Sequence, residues 1–186
     1  MKDIFKGNLV RLSAIDHEEL GKAYAKWNQD SEFTRLMDAR MVSLRSSKAI
    51  SDFFEKEFKS PPPEENSFTI RALDDNRLLG DIGLYVINNW TPQDAFVGIA
   101  IGNREDWGKG YGTDAMRVVL RYGFTELNLR RVTLTVFEYN PRAIRSYEKA
   151  GFQHEGRIRQ ALLRDGKRWD MFYMGILRDD WKKLYS

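Results

Sequence analysis

The sequence predicts an α/β protein, α+β in the ordering of its elements, with a mixed sheet in a single domain over residues 1–186. Three observations carry that prediction. The apolar period changes from helical to alternating at Asn66, a strand–helix–strand unit is centred on a glycine-dense turn, and the chain ends in two β-rich runs around Asp165-Gly166. The length fits one domain of about 150–200 residues with a sizeable core.

Taken in order, Asn8 to Leu12 reads as a first strand, followed by turn and capping residues over 13–16 and a helix over 17–29. Leu20, Tyr24 and Trp27 recur along that helix at helical spacing. Residues 30–41 read as irregular. A second helix is expected over 47–58, with Ile50, Phe53, Phe54 and Phe58 on one face, and the run Pro61-Pro62-Pro63 ends it in an exposed loop because proline cannot donate to the helix ladder. Residues 67–73, 78–87 and 95–101 then alternate as strands. Their connections are too short for crossover helices, so they form an antiparallel meander. Met116, Val119, Leu120, Phe124 and Leu127 mark a helix, and residues 131–137 a strand, which makes a parallel pair with a right-handed crossover. Asn140-Pro141 opens a further helix in the favoured order of cap and first position, and Gly151 stops it. Residues 156–164 and 168–177 form the closing hairpin around Asp165-Gly166, a strong tight-turn dipeptide.

Composition narrows the chemistry. Apolar residues are 42% and charged residues 31% of the chain, the profile of a folded globular protein. Thirty basic against 27 acidic residues leave a net charge of +3, too small to argue for nucleic acid or membrane. There is no cysteine, which excludes disulfides, thiolate metal sites and a cysteine nucleophile on this chain. Two histidines, His17 and His154, leave a histidine zinc site or a serine–histidine triad little to work with. The first residues lack the apolar centre of a signal peptide and no run of about 18 apolar residues occurs, so a cytoplasmic address and no membrane partner are expected.

The most informative stretch runs from Ile99 to Thr113. An apolar strand enters a turn with Gly108, Gly110 and Gly112 at every second position and leaves it as a helix. That is the arrangement in which several backbone N–H groups converge on one anion at a helix N-terminus. A Walker loop fails on spacing and on Gly110, which stands where a hydroxyl would hold magnesium. The dinucleotide fingerprint fits Gly108 and Gly110, has Thr113 at its third place, and finds a late ribose-binding acid in Glu138. An antiparallel meander before the turn speaks against it. Five basic residues, Arg157, Arg159, Arg164, Lys167 and Arg168, surround the final hairpin, either as a solvated face or as a patch for an acidic partner such as nucleic acid.

The same turn resembles the pyrophosphate motif of the GNAT superfamily of N-acetyltransferases: Gln or Arg, two residues, Gly, one residue, then Gly or Ala. Here Trp107-Gly108-Lys109-Gly110-Tyr111-Gly112 matches both small positions and places Trp107 at the first. A second segment, 28 residues beyond Gly112, reads Asn140-Pro141-Arg142-Ala143-Ile144-Arg145-Ser146-Tyr147-Glu148-Lys149-Ala150-Gly151-Phe152. It resembles the family's Asn-x-x-Ala-x-x-x-Tyr-x-x-x-Gly-Phe. The order of elements is also similar over nearly the whole chain, closest to the branch of RimJ/RimL-type ribosomal-protein and spermidine acetyltransferases.

The resemblance implies a mostly antiparallel sheet splayed in the middle and flanked by helices, acetyl-CoA as cosubstrate, no metal, and direct transfer to a primary amine in a ternary complex. Cofactor contacts would come from Ile99, Ala100, Ile101, Trp107, Gly108, Lys109, Gly110, Tyr111, Gly112, Thr113, Asn140 and Tyr147. Ile99 would offer an N–H to the oxyanion, Asn140 would bond the pantetheine amide, and Tyr147 would reach the sulfur as proton donor. Asn140 also explains itself as a helix cap and Tyr147 as a core aromatic. Asp81, Asp94, Glu138 and Asp170 are the candidate bases, and Trp27, Asp30, Glu32 and Phe33 lie where the acceptor site would be shaped. A homodimer is compatible with the family. A non-catalytic acyl-CoA sensor and a dinucleotide-binding enzyme are the alternatives.

Overall fold

The computed structural model describes residues 3–40, 44, 46, 48–50, 52, 66–86 and 93–185. Seven strands form one sheet: β1 (Val10–Ser13), β2 (Ser67–Ala72), β3 (Leu78–Val86), β4 (Asp94–Ile101), β5 (Arg131–Phe137), β6 (Gln153–Arg164) and β7 (Lys167–Leu177), in the spatial order β1-β2-β3-β4-β5-β7-β6. All neighbours are antiparallel except β4 and β5, which run parallel around a helical crossover. The short links from β2 to β3 and from β3 to β4 keep those pairs antiparallel, whereas the link from β4 to β5 carries a helix and lets that pair run parallel.

Helix α1 (His17–Trp27) starts where Asp16 accepts a hydrogen bond from the Glu19 amide, 3.0 Å. Residues 31–37, expected to be irregular, form a second helix instead, α2 (Ser31–Met37). Two turns are too short to display a period, but the local chemistry is complete. Asp30 caps the Glu32 amide at 2.9 Å, Glu32 lies in the positive first turn, and Phe33 is buried. The expected helix over 47–58 and the loops over 61–65 and 88–92 lie wholly or mostly outside the described residues. Helix α3 (Tyr111–Thr125) carries the crossover and α4 (Pro141–Ala150) follows β5. The Asn140 side chain caps α4 through the Ala143 amide and Gly151 ends it at φ 101°. A last helix, α5 (Arg178–Tyr185), follows the hairpin and was not legible in the sequence.

Strand alternation divides the core in two. Ala95 and Val97 of β4 join Leu79, Ile82, Val132 and Leu134 in a large cluster under Met116, Val119 and Leu120 of α3. Ala100 of β4 instead meets Leu20, Trp27 and Phe33 of the first two helices. Gly102, just past β4, allows this second contact, since a Cβ there would stand 1.9 Å from the Trp27 ring. Among the described residues no helix is long and apolar enough to cross a membrane.

The first strand is fastened to α3 rather than only to the sheet. The buried Asp114 carboxylate accepts from the Leu9 amide at 2.7 Å and the Val10 amide at 3.1 Å, and Arg121 donates to the carbonyls of Ile4 and Lys6. Asp114→Ala therefore leaves two amides without their acceptor and is expected to cost about 2–3 kcal/mol in urea denaturation, with Asp114→Asn, which keeps one acceptor oxygen, losing less.

Candidate active site

Strands β4 and β5 pair only at their beginnings. Asp94, Ala95 and Phe96 lie against Arg131, Val132 and Thr133, and beyond Phe96 the two strands diverge. β4 stays paired with β3 through Ile101, and β5 with β7 through Phe137, so each keeps one partner and loses the other. The divergence leaves backbone groups of residues 97–101 without a strand on the β5 side. A second strand-like ligand is the natural partner of such an edge.

At the open end of this wedge, α3 begins. Gly110 is its N-cap at φ 92°, and Gly108 has φ 77°, both in the left-handed region that favours glycine. The first-turn amides of α3 therefore face the gap with nothing bulky before them; a Cβ on Gly108 would meet nothing within 4 Å. Arg77 braces the turn from outside through the buried Asp106 carboxylate, 2.8 Å, and the Tyr111 hydroxyl, 3.3 Å.

A cavity of about 320 Å³ fills the wedge. Of the residues expected at a cofactor site, Ile99, Ile101, Trp107, Gly108, Gly110, Tyr111, Gly112, Thr113, Asn140 and Tyr147 line it. Ala100 and Lys109 do not. Alternation turns Ala100 to the opposite face against Trp27, and Lys109 is exposed on the turn. Nine further residues complete the lining, none of them expected at the cofactor site from sequence: Phe33, Leu36 and Met37 of α2, Asp106 before the turn, and Arg142, Ala143, Arg145, Ser146 and Lys149 of α4. The α4 group had a signal, since positions 142, 145 and 149 share a helix face.

The side chains within the cavity have defined states. Asn140 spends its Oδ1 on the Ala143 amide, 3.1 Å, so its remaining side-chain function is donation from Nδ2. The Tyr147 hydroxyl has no hydrogen-bond partner among the described residues. Burial pushes its pKa up to about 12, against the opposing pull of Arg142. Thr113 and Ser146 join α3 to α4 by a hydroxyl pair at 2.7 Å. Trp107 is fixed by its indole N–H, which donates to the Ile101 carbonyl at 2.7 Å, and the Arg142 guanidinium lies 3.8 Å above its ring. A cation thus reaches the position where the family motif has Gln or Arg, carried by stacking.

The four candidate bases separate clearly. Asp94 pairs with Arg130 at 2.7 Å. Asp170 binds Arg157 and the Gln160 amide and so holds the bulge in β6, while Glu138 accepts from the Asp170 amide at 2.9 Å. Glu138 does not line the cavity, and together with the meander of β2 to β4 this removes the dinucleotide reading. Among the described residues Asp81 accepts only from the Tyr24 hydroxyl, 2.7 Å, and burial raises its pKa to about 6. On the α2 side, Asp30 and Glu32 both hold Arg104, and that contact keeps the Asp30 carboxyl down at about 2. Trp27 is buried in the second core cluster, whereas Phe33 is buried there and also reaches the cavity. In the basic hairpin, Arg157 binds Asp170, Arg164 donates to the Asp38 and Arg40 carbonyls, and Lys167 lies over Trp169. Three of the five cations are thereby occupied within the fold. Among the described residues no three His, Asp or Glu side chains gather as metal ligands.

A mixed sheet wedged open beside a glycine turn at a helix N-terminus defines the class of acetyltransferase folds. Residues 10–153 match the family described as "Acetyltransferase (GNAT) domain". The chain is 35% identical over 133 residues to "Probable N-acetyltransferase YjcK" of Bacillus subtilis, covering 72% of this chain and 71% of that protein. It is 28% identical over 155 residues to the SPbeta prophage-derived N-acetyltransferase YokL of the same organism, covering 82% of each. Among solved structures, a GNAT-family acetyltransferase from Bacillus anthracis superposes with a TM-score of 0.77 at 21% identity, over 94% of this chain and 98% of that one. Spermidine N-acetyltransferase from Vibrio cholerae, solved with CoA and spermine, gives a TM-score of 0.77 at 24% identity, over 93% and 98%. The chain belongs to the GNAT acetyltransferase family, whose members use acetyl-CoA.

The raised pKa of Asp81 makes a stability prediction. Its native state holds the proton more tightly than the unfolded chain, so this stabilisation is fully present below about pH 4 and is lost as pH rises through about 6. Asp81→Asn cannot ionise; relative to wild type it should gain on the order of 2–3 kcal/mol between pH 4 and 7.5, read from denaturation midpoints across that range.

Proposed function

We propose that the chain, as one catalytic domain, transfers the acetyl group of acetyl-CoA to a primary amine by direct attack in a ternary complex. The observation that carries this reading is the wedge itself: an unpaired strand edge, a glycine turn at a helix N-terminus and an unbonded phenol all meet in one cavity. Acetyl-CoA supplies an activated thioester with a leaving thiol of reference pKa near 8.5.

The chain's own groups divide the remaining work. The amides at Gly108, Gly110 and the start of α3 suit the pyrophosphate, and the free edge of β4 at Ile99 and Ile101 suits pantetheine as an added strand. An N–H on that edge also serves the carbonyl oxygen as it gains charge. Asn140 donates from Nδ2 to a pantetheine carbonyl. Tyr147 is protonated throughout the physiological range, so it donates a hydrogen bond to the departing sulfur at every working pH. The ammonium must lose a proton before its nitrogen can form the new bond. Asp81 is the one of the four carboxyl groups held by neither a cation nor an amide, and its pKa near 6 suits it to accept that proton through water.

On the α2 side the cavity is walled by Phe33, Leu36 and Met37, and Asp30 and Glu32 share the cation of Arg104. Apolar walls and an inward cation at Arg142 favour a singly charged amine, such as a protein N-terminus, over a polyamine. Release of CoA across a panel of N-terminal peptides, spermine, spermidine and small amines tests this; fastest turnover of the polyamines would reverse the preference.

Two substitutions test the machinery. Tyr147→Phe is expected to lower kcat about 100-fold while CoA affinity stays within a factor of about two. Gly110→Val puts a β-branched residue at φ 92° with its Cβ 3.2 Å from Leu9, which strains the turn and is expected to weaken CoA binding at least tenfold, measured by calorimetry on protein whose circular dichroism is native.

A further inference from the structure

The face of the sheet turned away from α3 holds a second arrangement beside the cavity. Asp81, Gly83 and Tyr85 alternate onto one face of β3, and their partners on β4 are Ala100, Gly98 and Phe96. Two glycines therefore face each other across the strands, between a carboxylate and a phenol. The Tyr85 side chain lies back over them. A Cβ on Gly83 would stand 2.9 Å from the Tyr85 hydroxyl and 3.0 Å from its Cζ, and a Cβ on Gly98 would stand 3.4 Å from its Cε2. The ring lies this close to the backbone because neither position carries a side chain.

Ring and carboxylate are each held from a neighbouring element. Ser67 of β2 hydrogen-bonds the Tyr85 hydroxyl, and the charge of Asp81 acts on the same phenol. Asp81 is in turn bonded to Tyr24 of α1, whose ring meets that of Phe33 edge-on with centroids 5.9 Å apart. Phe33 lines the cavity, and so does Ile99, the residue after Gly98 on β4. Tyr85 nonetheless stays 48% exposed. The glycines take up one side of its ring and leave the other open. An open aromatic face beside a carboxylate whose partner is a neutral phenol attracts a cation, since the ring acts within about 6 Å of its centroid and the carboxylate adds a full charge.

We propose that Tyr85 is the platform on which the protonated acceptor docks, its ammonium seated on the open ring face beside Asp81, so that Tyr85 selects cationic amines for the transfer. The platform rests on the acetyl-transfer reading above and adds to it a determinant of acceptor choice. One ring face and one carboxylate accommodate one positive charge. Tyr85→Leu fills the same place without a ring face, Tyr85→Phe keeps the face without the hydroxyl, and thermal melts check that both variants fold.

With a tripeptide bearing a free amino terminus in the CoA-release assay, Tyr85→Leu is expected to raise KM for the peptide about fivefold and Tyr85→Phe to leave it within a factor of about two, with KM for acetyl-CoA unchanged in both. Tetramethylammonium carries the charge but has no proton to lose and cannot be acetylated, so it separates docking from turnover. Saturation-transfer NMR should detect its methyl protons with wild type and Tyr85→Phe and lose most of that signal with Tyr85→Leu. Equal signals from all three proteins, or a peptide KM that Tyr85→Leu leaves unchanged, overturn the platform and leave the acetyl-transfer reading standing. If wild type releases no CoA with any amine, the transfer reading falls; a tetramethylammonium signal lost only in Tyr85→Leu then still upholds the cation site, and its absence from wild type overturns that as well.

Discussion

A backbone that gives up half its hydrogen bonds within a sheet must find them elsewhere, and that requirement governs the centre of this molecule. β4 has β3 along one side for its whole length but β5 for only three residues on the other. Two large hydrophobic layers, one on each face, hold the sheet together across the gap. The strand therefore stays in place without its second partner. Trp107 meets one of the groups left over, the Ile101 carbonyl, and so both completes the strand's end and presents an aromatic face to Arg142. The crossover helix, the turn before it and α4 all take their positions from the wedge.

Much of this was legible in the sequence because it was written in local chemistry. Asn140-Pro141 and Gly151 bracket α4, Asp165-Gly166 makes the last turn, and the run Arg131–Phe137 alternates buried and half-buried as an isolated strand should. Helix α2 was missed because seven residues cannot display a period, and its evidence lay in the Asp30 cap alone. α5 was missed for a similar reason: it has no buried residue and follows directly on β7. The candidate site divides along the same line. The glycine turn, Asn140 and Tyr147 declare themselves by spacing, but the run of three apolar residues at 99–101 hides the alternation that turns the Ala100 side chain to the opposite face. The role of Trp107 depended on Arg142, a residue 35 positions later, and no one-dimensional pattern joins them.

The acidic residues show how a fold sorts similar groups into different uses. Asp30, Asp94 and Asp170 all have arginine partners, and their charges are fixed as parts of the frame. Asp81 has a phenol in place of a guanidinium, and Tyr24 can share a proton but supplies no charge. Its carboxyl is thereby kept near the point of titration. Carboxylates that look alike in the sequence are separated by the single fact of what lies opposite each one.

The attachment of β1 bears on how the chain is made. Leu9 and Val10 find their acceptor 105 and 104 residues away in Asp114, and Ile4 finds its donor 117 residues away in Arg121. During synthesis β1 can meet its strand partner β2 early, yet its acceptor and donor on α3 appear only once more than half of the chain has been made. The stretch that looks peripheral in the finished molecule thus depends for its fastening on the helix whose N-terminus forms the glycine turn.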